Sequence, residues 1–333
     1  MAEPAEIRFA SGHGAPPGYW LLLGGTGFVG RTLAEMLCRP GHDEGPWLLA
    51  PTRHMGHGLA ALGALPRVDV IEADLYDDVA LARLVAGAAA VVNLIGILHG
   101  SDDDFEQVHV ALPRRLAAAC HTAGVRRVVH ISALGATADA PSRYLRSKAA
   151  GEAALREAGL DLTILRPSLI FGAGDHLLNL FAAVQRLAPI VPLAAADARF
   201  QPVWVDDVAE ALARCLARPE TIGQTYECTG PEVMTLAELV HAAGEFSGHP
   251  RPVVALPPAV AKLQALLMEW LPGEPLMTRD NLASMQVPSV AHPGMPGLAA
   301  LGIQPTPLAA VAPGVLGGGA GSARLGSYRA HHE

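Results

Sequence analysis

The sequence predicts an α/β fold, in which a doubly wound parallel sheet is joined to a small, mostly helical C-terminal lobe. The first observation is a regular alternation of short apolar runs with segments of helical periodicity. The second is a glycine-rich turn between the first apolar run and the first helical segment. Helical crossovers connect parallel strands, so this alternation indicates a parallel sheet with helices on both faces.

Each element has its own signal. Short apolar runs are predicted as strands at 19–23, 47–52, 68–73, 89–96 and 127–133. SRYLRSKAAGEAALREAG is predicted as a long helix, with Ser142 as its N-cap and Gly159 as its stop. Further helices are predicted at 177–187, 206–217 and 235–246, and Thr235 and Glu238 have capping-box spacing.

Composition excludes several classes of function. The net charge is -8 and no long basic run occurs, which argues against a nucleic-acid partner. The four cysteines contain no Cys-x-x-Cys pair, and no His-Glu-x-x-His motif accompanies the histidines, so no metal site is predicted. The N-terminus has no apolar core of a signal peptide, and no spanning helix is expected. The predicted location is cytoplasmic, with a peripheral position at the inner membrane as an alternative.

The turn after the first strand reads GGTGFVG, in which Gly24, Gly27 and Gly30 form G-x-x-G-x-x-G. Glycines let the backbone turn sharply and approach a pyrophosphate, and the following helix N-terminus favours an anion. The turn therefore predicts a Rossmann-type dinucleotide site. Its other predicted contacts are Thr26, Phe28 and Val29.

The charge near the second strand favours NADP(H) over NAD(H). An acidic residue usually follows the glycines by about 20 residues when the ribose 2′-hydroxyl is free. This chain has Arg53 there instead, and Arg31 directly follows the last glycine. Guanidinium groups suit a 2′-phosphate. Asp74 and Leu75, at the end of the third strand, are expected to flank the adenine, although Asp74 could equally cap the next helix.

Tyr144 and Lys148 have four-residue spacing on the predicted long helix. Of 24 Lys and Arg residues, only Lys148 and Lys262 are lysines. Residues four apart share a helix face, so Lys148 is expected to hold the cofactor ribose and to lower the pKa of Tyr144. Ser132 ends the fifth strand, where ligands bind in open α/β sheets, and is expected to contact a substrate carbonyl.

In this order, the glycine loop, the IGI turn, Ser132 and Tyr-x-x-x-Lys resemble the short-chain dehydrogenase/reductase superfamily, in its atypical or extended branch. YLRSKAAGEAAL, ILRPSLIFGAGD, FQPVWVDDVAEAL and LPGEPLMTRDNL resemble the family of the NADPH-binding accessory subunit of respiratory complex I and its bacterial relatives. The resemblance implies catalytic roles for Ser132, Tyr144 and Lys148. It also implies further cofactor contacts at Leu94, Ile95, Gly96 and Pro167, and substrate contacts at Phe171, Gly172 and Gln201.

Four parts are expected along the chain: a flexible leader at 1–18, an NAD(P)-binding Rossmann domain at 19–174, a smaller substrate lobe at 175–290 interleaved with the last sheet strands, and a Pro/Gly/Ala-rich mobile tail at 291–333. Within the lobe, Val260, Leu263, Leu267 and Leu271 form a helical stripe, with Met268 and Trp270 beside it. An ordinary buried helix is the favoured interpretation of that stripe, and a membrane or partner surface is the alternative.

Three functions fit these observations. The first is an NADP(H)-dependent oxidoreductase acting on an apolar, quinone- or isoprenoid-related carbonyl substrate. The second is a non-catalytic NADPH-binding subunit of a respiratory membrane complex, and the third is an NAD-dependent epimerase or dehydratase. Ala133 stands where sugar-nucleotide epimerases usually have a second hydroxyl residue, which weakens the hypothesis of a sugar-nucleotide substrate. The sequence does not indicate the oligomeric state.

Overall fold

The computed structural model describes residues 16–39, 45–269 and 277–317. The chain forms two compact units, each described by itself. The first contains Met1–Asp139, Arg143–Arg166 and Val208–Tyr226, and the second contains Ala140–Ser142, Pro167–Asp207 and Glu227–Glu333. In the part of the chain that the structure describes, every helix is too short or too polar to span a bilayer.

The strands of the described residues are, in chain order, β1 (Tyr19–Leu23), β2 (Leu48–Thr52), β3 (Val68–Glu72), β4 (Ala88–Asn93), β5 (Arg127–Ile131), β6 (Asp161–Pro167), β7 (Ile170–Phe171), β8 (Val191–Leu193), β9 (Arg199–Phe200), β10 (Val203–Trp204), β11 (Thr225–Cys228), β12 (Met234–Thr235) and β13 (Val253–Ala255).

The α-helices of the same residues are α1 (Phe28–Leu37), α2 (Met55–Leu62), α3 (Asp78–Ala86), α4 (Asp102–Glu106), α5 (Leu112–Ala123), α6 (Arg143–Glu157), α7 (Leu177–Leu187), α8 (Val205–Ala217), α9 (Leu236–Phe246), α10 (Pro258–Glu269), α11 (Arg279–Ser284) and α12 (Leu308–Leu316). A π-helical turn, Gln107–Ala111, joins α4 to α5.

The main sheet has seven strands in the order β11-β6-β5-β4-β1-β2-β3. The pairs from β3 to β6 are parallel, so the carboxyl ends of these strands lie at one edge. The predicted α/β fold is confirmed, and the five predicted strands are present with small differences at their ends. The largest difference is at β4, which ends at Asn93 and leaves 94–96 as a turn.

Apolar residues on the strands build the core of the first unit. Leu21, Leu22 and Leu23 of β1 are fully buried because helices cover both faces of the strand. The main core cluster also includes Val91 of β4 and Val128 of β5. This packing fixes the strand ends, from which the candidate site residues emerge.

The second unit has its own core, in which α7, α9 and α12 contact one another. Short strand pairs accompany the helices: β7 with β10, β8 with β13, and β9 with β12. The predicted capping box of α9 is present, because Thr235 Oγ1 accepts from Glu238 N and the Glu238 side chain accepts from Thr235 N.

The prediction of a mobile tail from residue 291 is wrong over 291–317. Leu298 and Leu301 lie on a buried 3-10 turn, and Leu308 and Leu316 of α12 pack into the core of the second unit. The Pro- and Gly-rich composition of the segment suggested disorder, although these few leucines are enough to pack it against the core. The remaining part of the predicted tail, 318–333, lies outside the described residues, as does most of the predicted leader.

The favoured buried-helix interpretation of the apolar stripe also requires correction. On α10 the buried residues are Ala261 and Ala265, whereas Leu263 and Leu267 are 55% and 57% exposed. Val260 is exposed with them. Trp270 and Leu271 of the predicted stripe lie outside the described residues. Val260, Leu263 and Leu267 therefore face away from the core, whereas Leu266 and Met268 are half-buried.

Candidate functional site

The glycine loop has the geometry that its spacing predicts. Gly24 has φ +82°, a conformation that favours glycine. A Cβ on Gly30 would lie 2.5 Å from Gly24 O, so the first turn of α1 packs directly on the loop backbone. Gly27 is the N-cap of α1 and offers no side chain to the first-turn amides. These amides remain available to an anion.

The loop therefore fits the pyrophosphate of a dinucleotide. Gly27 is exposed, and the half-buried Thr26, Phe28 and Val29 lie beside it. The backbone donors and the helix dipole of α1 would hold negative charge at this position.

The turn after β4 lies against the glycine loop. A Cβ on Gly24 would lie 3.3 Å from Ile95 N, and Leu94 N donates to Leu23 O at 2.9 Å. Asn93 Oδ1 accepts from Ile95 N at 3.2 Å, which orders the turn from within. Leu94, Ile95 and Gly96 thus lie at the same strand edge as the glycine loop, and their contact with a cofactor stays a prediction.

The two predicted phosphate ligands differ in exposure. Arg31 lies in the first turn of α1 and is half-buried, and Arg53 follows β2 and is exposed. Neither guanidinium forms an ion pair with another described residue. The charge of Arg53 acts on Tyr76, whose pKa is nevertheless raised because burial is the larger effect.

Asp74 does not cap the helix that follows it. Its Oδ1 accepts from Tyr76 N at 2.9 Å, whereas Asp77 accepts from the first-turn amides of α3. Leu75 is buried in the core of the first unit. The exposed carboxylate of Asp74 remains beside the end of β3, where an adenine contact stays a prediction.

Lys148 reaches the end of β5, next to Ser132. The Lys148 Nζ donates to Ile131 O at 3.1 Å, and Ser132 is the next residue along the chain. Ser132 is 2% exposed, and its hydroxyl has no hydrogen-bond partner among the described residues. Lys148 is 5% exposed. An ammonium has three donors, so Lys148 can keep this contact and still bind ribose hydroxyls.

Burial is the main cause of the pKa shifts of Tyr144 and Lys148 on α6. Burial lowers the pKa of Lys148 to about 8, and the negative charge of Glu152 opposes that shift. Burial raises the pKa of Tyr144 to about 12, which is opposite to the lowering expected from the sequence. Desolvation disfavours the phenolate, so Tyr144 holds its proton at neutral pH.

His109 is a residue that the sequence analysis missed. Pro113 lacks an N–H and cannot donate to His109 O, four residues earlier. The chain instead makes a π-turn, in which Leu112 N donates to Gln107 O. His109 is buried, and its ring lies edge-on to the Tyr144 ring with centroids 5.7 Å apart. In the sequence, Pro113 inside a segment of helical pattern is the signal that could have indicated this arrangement.

Glu152 and Arg166 form a second feature that was not anticipated. The Arg166 guanidinium binds the buried carboxylate of Glu152 with two hydrogen bonds, at 2.8 and 2.6 Å. Arg156 approaches the same carboxylate at 2.9 Å. Glu152 follows Lys148 by one helical turn on the same face of α6. The Glu152–Arg166 ion pair is therefore adjacent to Lys148, the predicted ribose contact.

Whereas Ser132 belongs to the first unit, the other three predicted substrate residues, Phe171, Gly172 and Gln201, belong to the second. Phe171 is a core residue there, and Gly172 N donates to Asp175 Oδ2 at 3.2 Å. The Gln201 amide donates to Gly230 O and accepts from Ala291 N. These contacts give Phe171 and Gln201 structural roles, and substrate contacts at the three positions, like a cofactor contact at Pro167, stay predictions.

Known proteins share this architecture. Residues 20–229 match the model of the NAD dependent epimerase/dehydratase family. The chain is similar to NADH dehydrogenase (ubiquinone) 1 alpha subcomplex subunit 9, mitochondrial, of Rattus norvegicus, with 34% identity over 293 residues, 86% of this chain and 76% of the relative. It is also similar to a ceramide reductase of Caulobacter vibrioides, with 29% identity over 255 residues, 75% of this chain and 77% of the relative.

A solved structure supports the same relationship. DesIV, a dTDP-glucose 4,6-dehydratase from Streptomyces venezuelae solved with NAD and TYD bound, superimposes with a TM-score of 0.62 at 25% identity. The match covers 71% of this chain and 84% of DesIV. With its parallel sheet, glycine loop and matched residues, the chain belongs to the NAD-dependent epimerase/dehydratase family of NAD(P)-binding Rossmann proteins.

Proposed function

We propose that this protein is an NADP(H)-dependent oxidoreductase that reduces the carbonyl group of an apolar substrate. The observation that carries the proposal is that buried Ser132 and Lys148 lie at the end of β5, with the half-buried Tyr144 one helical turn before Lys148 on α6. Ser132 presents a hydroxyl that no described residue uses, and Tyr144 keeps its proton because burial raises its pKa to about 12. A tyrosine that stays protonated suits the direction in which a carbonyl oxygen must receive a proton.

Each residue has a separate role in this proposal. When bound, the nicotinamide supplies a hydride to the carbonyl carbon. The Ser132 hydroxyl donates a hydrogen bond to the carbonyl oxygen, and Tyr144 delivers its phenolic proton to that oxygen. Lys148 binds the ribose and stabilises the resulting phenolate with its positive charge.

The preference for NADP(H) rests on Arg31 and Arg53. Arg31 lies in the first turn of α1, directly after the glycine loop, and Arg53 directly follows β2. Neither is neutralised by an ion pair among the described residues. No acidic side chain stands at the end of β2, where one would repel a 2′-phosphate. A charge-assisted hydrogen bond contributes roughly 1.5–3 kcal/mol.

The apolar substrate class has two supports. The name of the relative from Caulobacter vibrioides denotes reduction of a lipid. In this chain, few positive groups lie in the second unit to bind the pyrophosphate of a sugar nucleotide, and Ala133 replaces the second hydroxyl that such enzymes usually carry.

A second candidate is a non-catalytic NADPH-binding subunit associated with a respiratory membrane complex. The similarity to the mitochondrial subunit from Rattus norvegicus favours it. The exposed apolar face of α10 offers a surface for association with such a complex. A third candidate, an epimerase or dehydratase, would keep NAD bound through the reaction.

Nucleotide titration followed by turnover separates these candidates. We expect the parent protein to bind NADPH more tightly than NADH, and Arg53→Ala to lose about ten- to a hundredfold in NADPH affinity while NADH affinity stays unchanged. Equal affinities in the parent would contradict the cofactor preference. Consumption of NADPH with quinones or isoprenoid ketones would support the reductase, and NADPH binding without turnover would support the accessory subunit. Retention of NAD through purification would favour the epimerase.

A further inference from the structure

His109 connects the turn after β4 to the helix that carries Tyr144 and Lys148. Ile97 N donates to His109 Nε2 at 3.1 Å, so this ring nitrogen must carry a lone pair. On the other side of the ring, Nδ1 lies 2.8 Å from Ser147 Oγ, and Ser147 Oγ donates to Tyr144 O at 2.8 Å. These contacts are mutually consistent only for a neutral ring that is protonated at Nδ1.

The surroundings keep the ring in that state. Burial and the positive charge of Lys148 lower the pKa of His109 to about 3. A Cβ on Gly96 would lie 3.0 Å from Lys148 Nζ and 3.4 Å from His109 Nε2, so both side chains reach the backbone of the same turn. A charged histidine here would lose the Ile97 contact and would repel Lys148.

The π-turn that carries His109 is itself fixed against α6. A Cβ on Gly151 would lie 2.0 Å from His109 O, so only glycine permits this approach of the two backbones. Gly151 is one helical turn from Lys148 on the same helix. The His109 carbonyl, to which Pro113 cannot donate, is thus enclosed against α6, and the ring has little freedom to move.

We propose that His109 is a positioning residue that holds the turn 94–97 at a fixed distance from Tyr144 and Lys148. The same turn contacts the glycine loop through Ile95 and Gly24. His109 therefore links both halves of the nucleotide site in the first unit: the loop for the pyrophosphate and the helix for the ribose. The consequence for nucleotide affinity rests on the proposed function, whereas the anchoring of the turn does not.

Three substitutions separate the two hydrogen bonds of the ring. His109→Gln can place an amide oxygen near the position of Nε2 and keep the Ile97 contact, and His109→Asn can keep the Ser147 contact. His109→Phe removes both contacts but keeps an aromatic ring. His121→Gln, on the exposed face of α5, is the matched control.

Hydrogen exchange and nucleotide titration are the measurements. We expect exchange at the Ile97 amide to accelerate by about tenfold in His109→Phe and in His109→Asn, and to stay near the parent value in His109→Gln. NADPH affinity should fall by about two- to tenfold in His109→Phe, the range that one lost hydrogen bond gives, with partial recovery in His109→Gln. If His109 only stabilised the fold, its substitutions would lower the unfolding temperature, but His109→Gln would not restore Ile97 exchange and NADPH affinity relative to His109→Phe.

Nitrogen-15 NMR of the histidine ring tests the tautomer directly, also without nucleotide. Protonation at Nδ1 from about pH 5 to pH 8 supports the proposal, and protonation at Nε2 overturns it. Unchanged Ile97 exchange in His109→Phe would overturn it as well. If His109→Phe does not fold, Ile97 exchange is compared between His109→Gln and His109→Asn. Equal exchange rates in these two variants would then overturn the proposal. A parent that binds neither nucleotide would refute the proposed function, and the exchange and NMR data would still decide whether His109 anchors the turn.

Discussion

Arg166 holds the carboxylate of Glu152 with two hydrogen bonds, Nε to Oε1 at 2.8 Å and Nη2 to Oε2 at 2.6 Å. Glu152 is fully buried, and its charge raises the pKa of Lys148 against the larger effect of burial. The ion pair therefore acts at a distance on the predicted ribose contact. The ion pair fixes the negative charge of Glu152 one helical turn after Lys148, in the protein interior, where the low dielectric constant strengthens interactions between charges.

Glu152→Gln should consequently lower the pKa of Lys148 below its present value of about 8. The ammonium would then be lost at a lower pH than in the parent. We expect NADPH affinity to decline at lower pH in the variant when titrated from about pH 6 to pH 9. Stability should also fall, because breaking a buried ion pair costs about 3–5 kcal/mol. Glu157→Gln, exposed on the same helix, is the control, and superimposable pH profiles would contradict the link.

The site could be predicted from the sequence only where its residues lie close together along the chain. The glycine loop and the Tyr144–Lys148 spacing are local patterns, and the structure preserves them. The contact between Glu152 and Arg166 joins a helix to a strand, and no periodicity indicates it. His109 enters the site through a π-turn whose cause, Pro113, was visible but whose direction depends on packing against Gly151.

Composition misled the sequence analysis at the C-terminal end for a similar reason. Prolines and glycines dominate the segment, but a few leucines decide its structure, because burial of each leucine contributes roughly 1.5–3 kcal/mol. Leu308 and Leu316 have this role in α12. The stripe on α10 was misjudged in the opposite direction, because small alanines rather than leucines face the core.

The glycines of the loop should differ in what their substitution destroys. A Cβ on Gly30 would lie 2.5 Å from backbone, so Gly30→Ala should lower the free energy of unfolding by about 1–3 kcal/mol. A Cβ on Gly27 would lie 3.2 Å from Gly24 O in an ordinary backbone conformation. Gly27→Val should therefore fold but lose nucleotide binding, because its side chain occupies the position of the pyrophosphate.

Calorimetric titration and thermal unfolding distinguish the two effects. Gly56→Ala is a suitable control, since a Cβ there meets nothing within 4 Å. Near-normal nucleotide binding by Gly27→Val would mean that the cofactor binds elsewhere.

The exposed face of α10 allows a test of membrane association. Leu263 and Leu267 contribute little to the core, so changing both to Gln should leave the unfolding temperature unchanged. If this face binds a membrane, the parent should float with anionic vesicles and the double variant should not. Leu59→Gln, an exposed leucine on α2, controls for general loss of apolar surface. A parent that stays unbound to vesicles would leave a membrane role without support.

Acid should destabilise the protein through its buried histidines. The pKa of His109 is lowered from 6.5 to about 3, and that of His130 is well below its ordinary value, in both cases mainly because of burial. The unfolded chain therefore binds more protons, so this stability is present above about pH 6.5 and is lost as the pH falls toward 3.

His109→Gln should make the loss shallower by about 1.4 kcal/mol per pH unit, the contribution of one proton. Urea unfolding between about pH 4 and pH 7 measures the slope. His57→Gln, in an exposed position, should leave it unchanged. An unaltered slope in His109→Gln would mean that His109 already titrates normally in the folded state.

Lys148 should cost stability while it supports nucleotide binding. Its pKa falls from 10.5 to about 8 because burial disfavours the ammonium. A lowered folded-state pKa means that stability is complete above about pH 10.5 and is lost as the pH falls through about 8. At neutral pH, Lys148→Met should therefore raise the free energy of unfolding by roughly 1–3 kcal/mol and abolish the ribose contact. The gain should vanish in strongly alkaline solution, and Lys262→Met, at an exposed position, should show neither effect.

Lys148→Arg separates charge from shape at the same position. It keeps a positive charge, so a purely electrostatic role would tolerate it. A planar guanidinium cannot replace a compact ammonium that donates to Ile131 O in a buried site, so NADPH affinity should fall even when no substrate is known. Tyr144→Phe is the companion variant, which should bind NADPH normally and reduce any turnover by about 10²- to 10⁴-fold. If Lys148→Arg binds NADPH as tightly as the parent, a positive charge alone is enough for binding at this position. The specific contact between the Lys148 ammonium and the ribose would then be refuted.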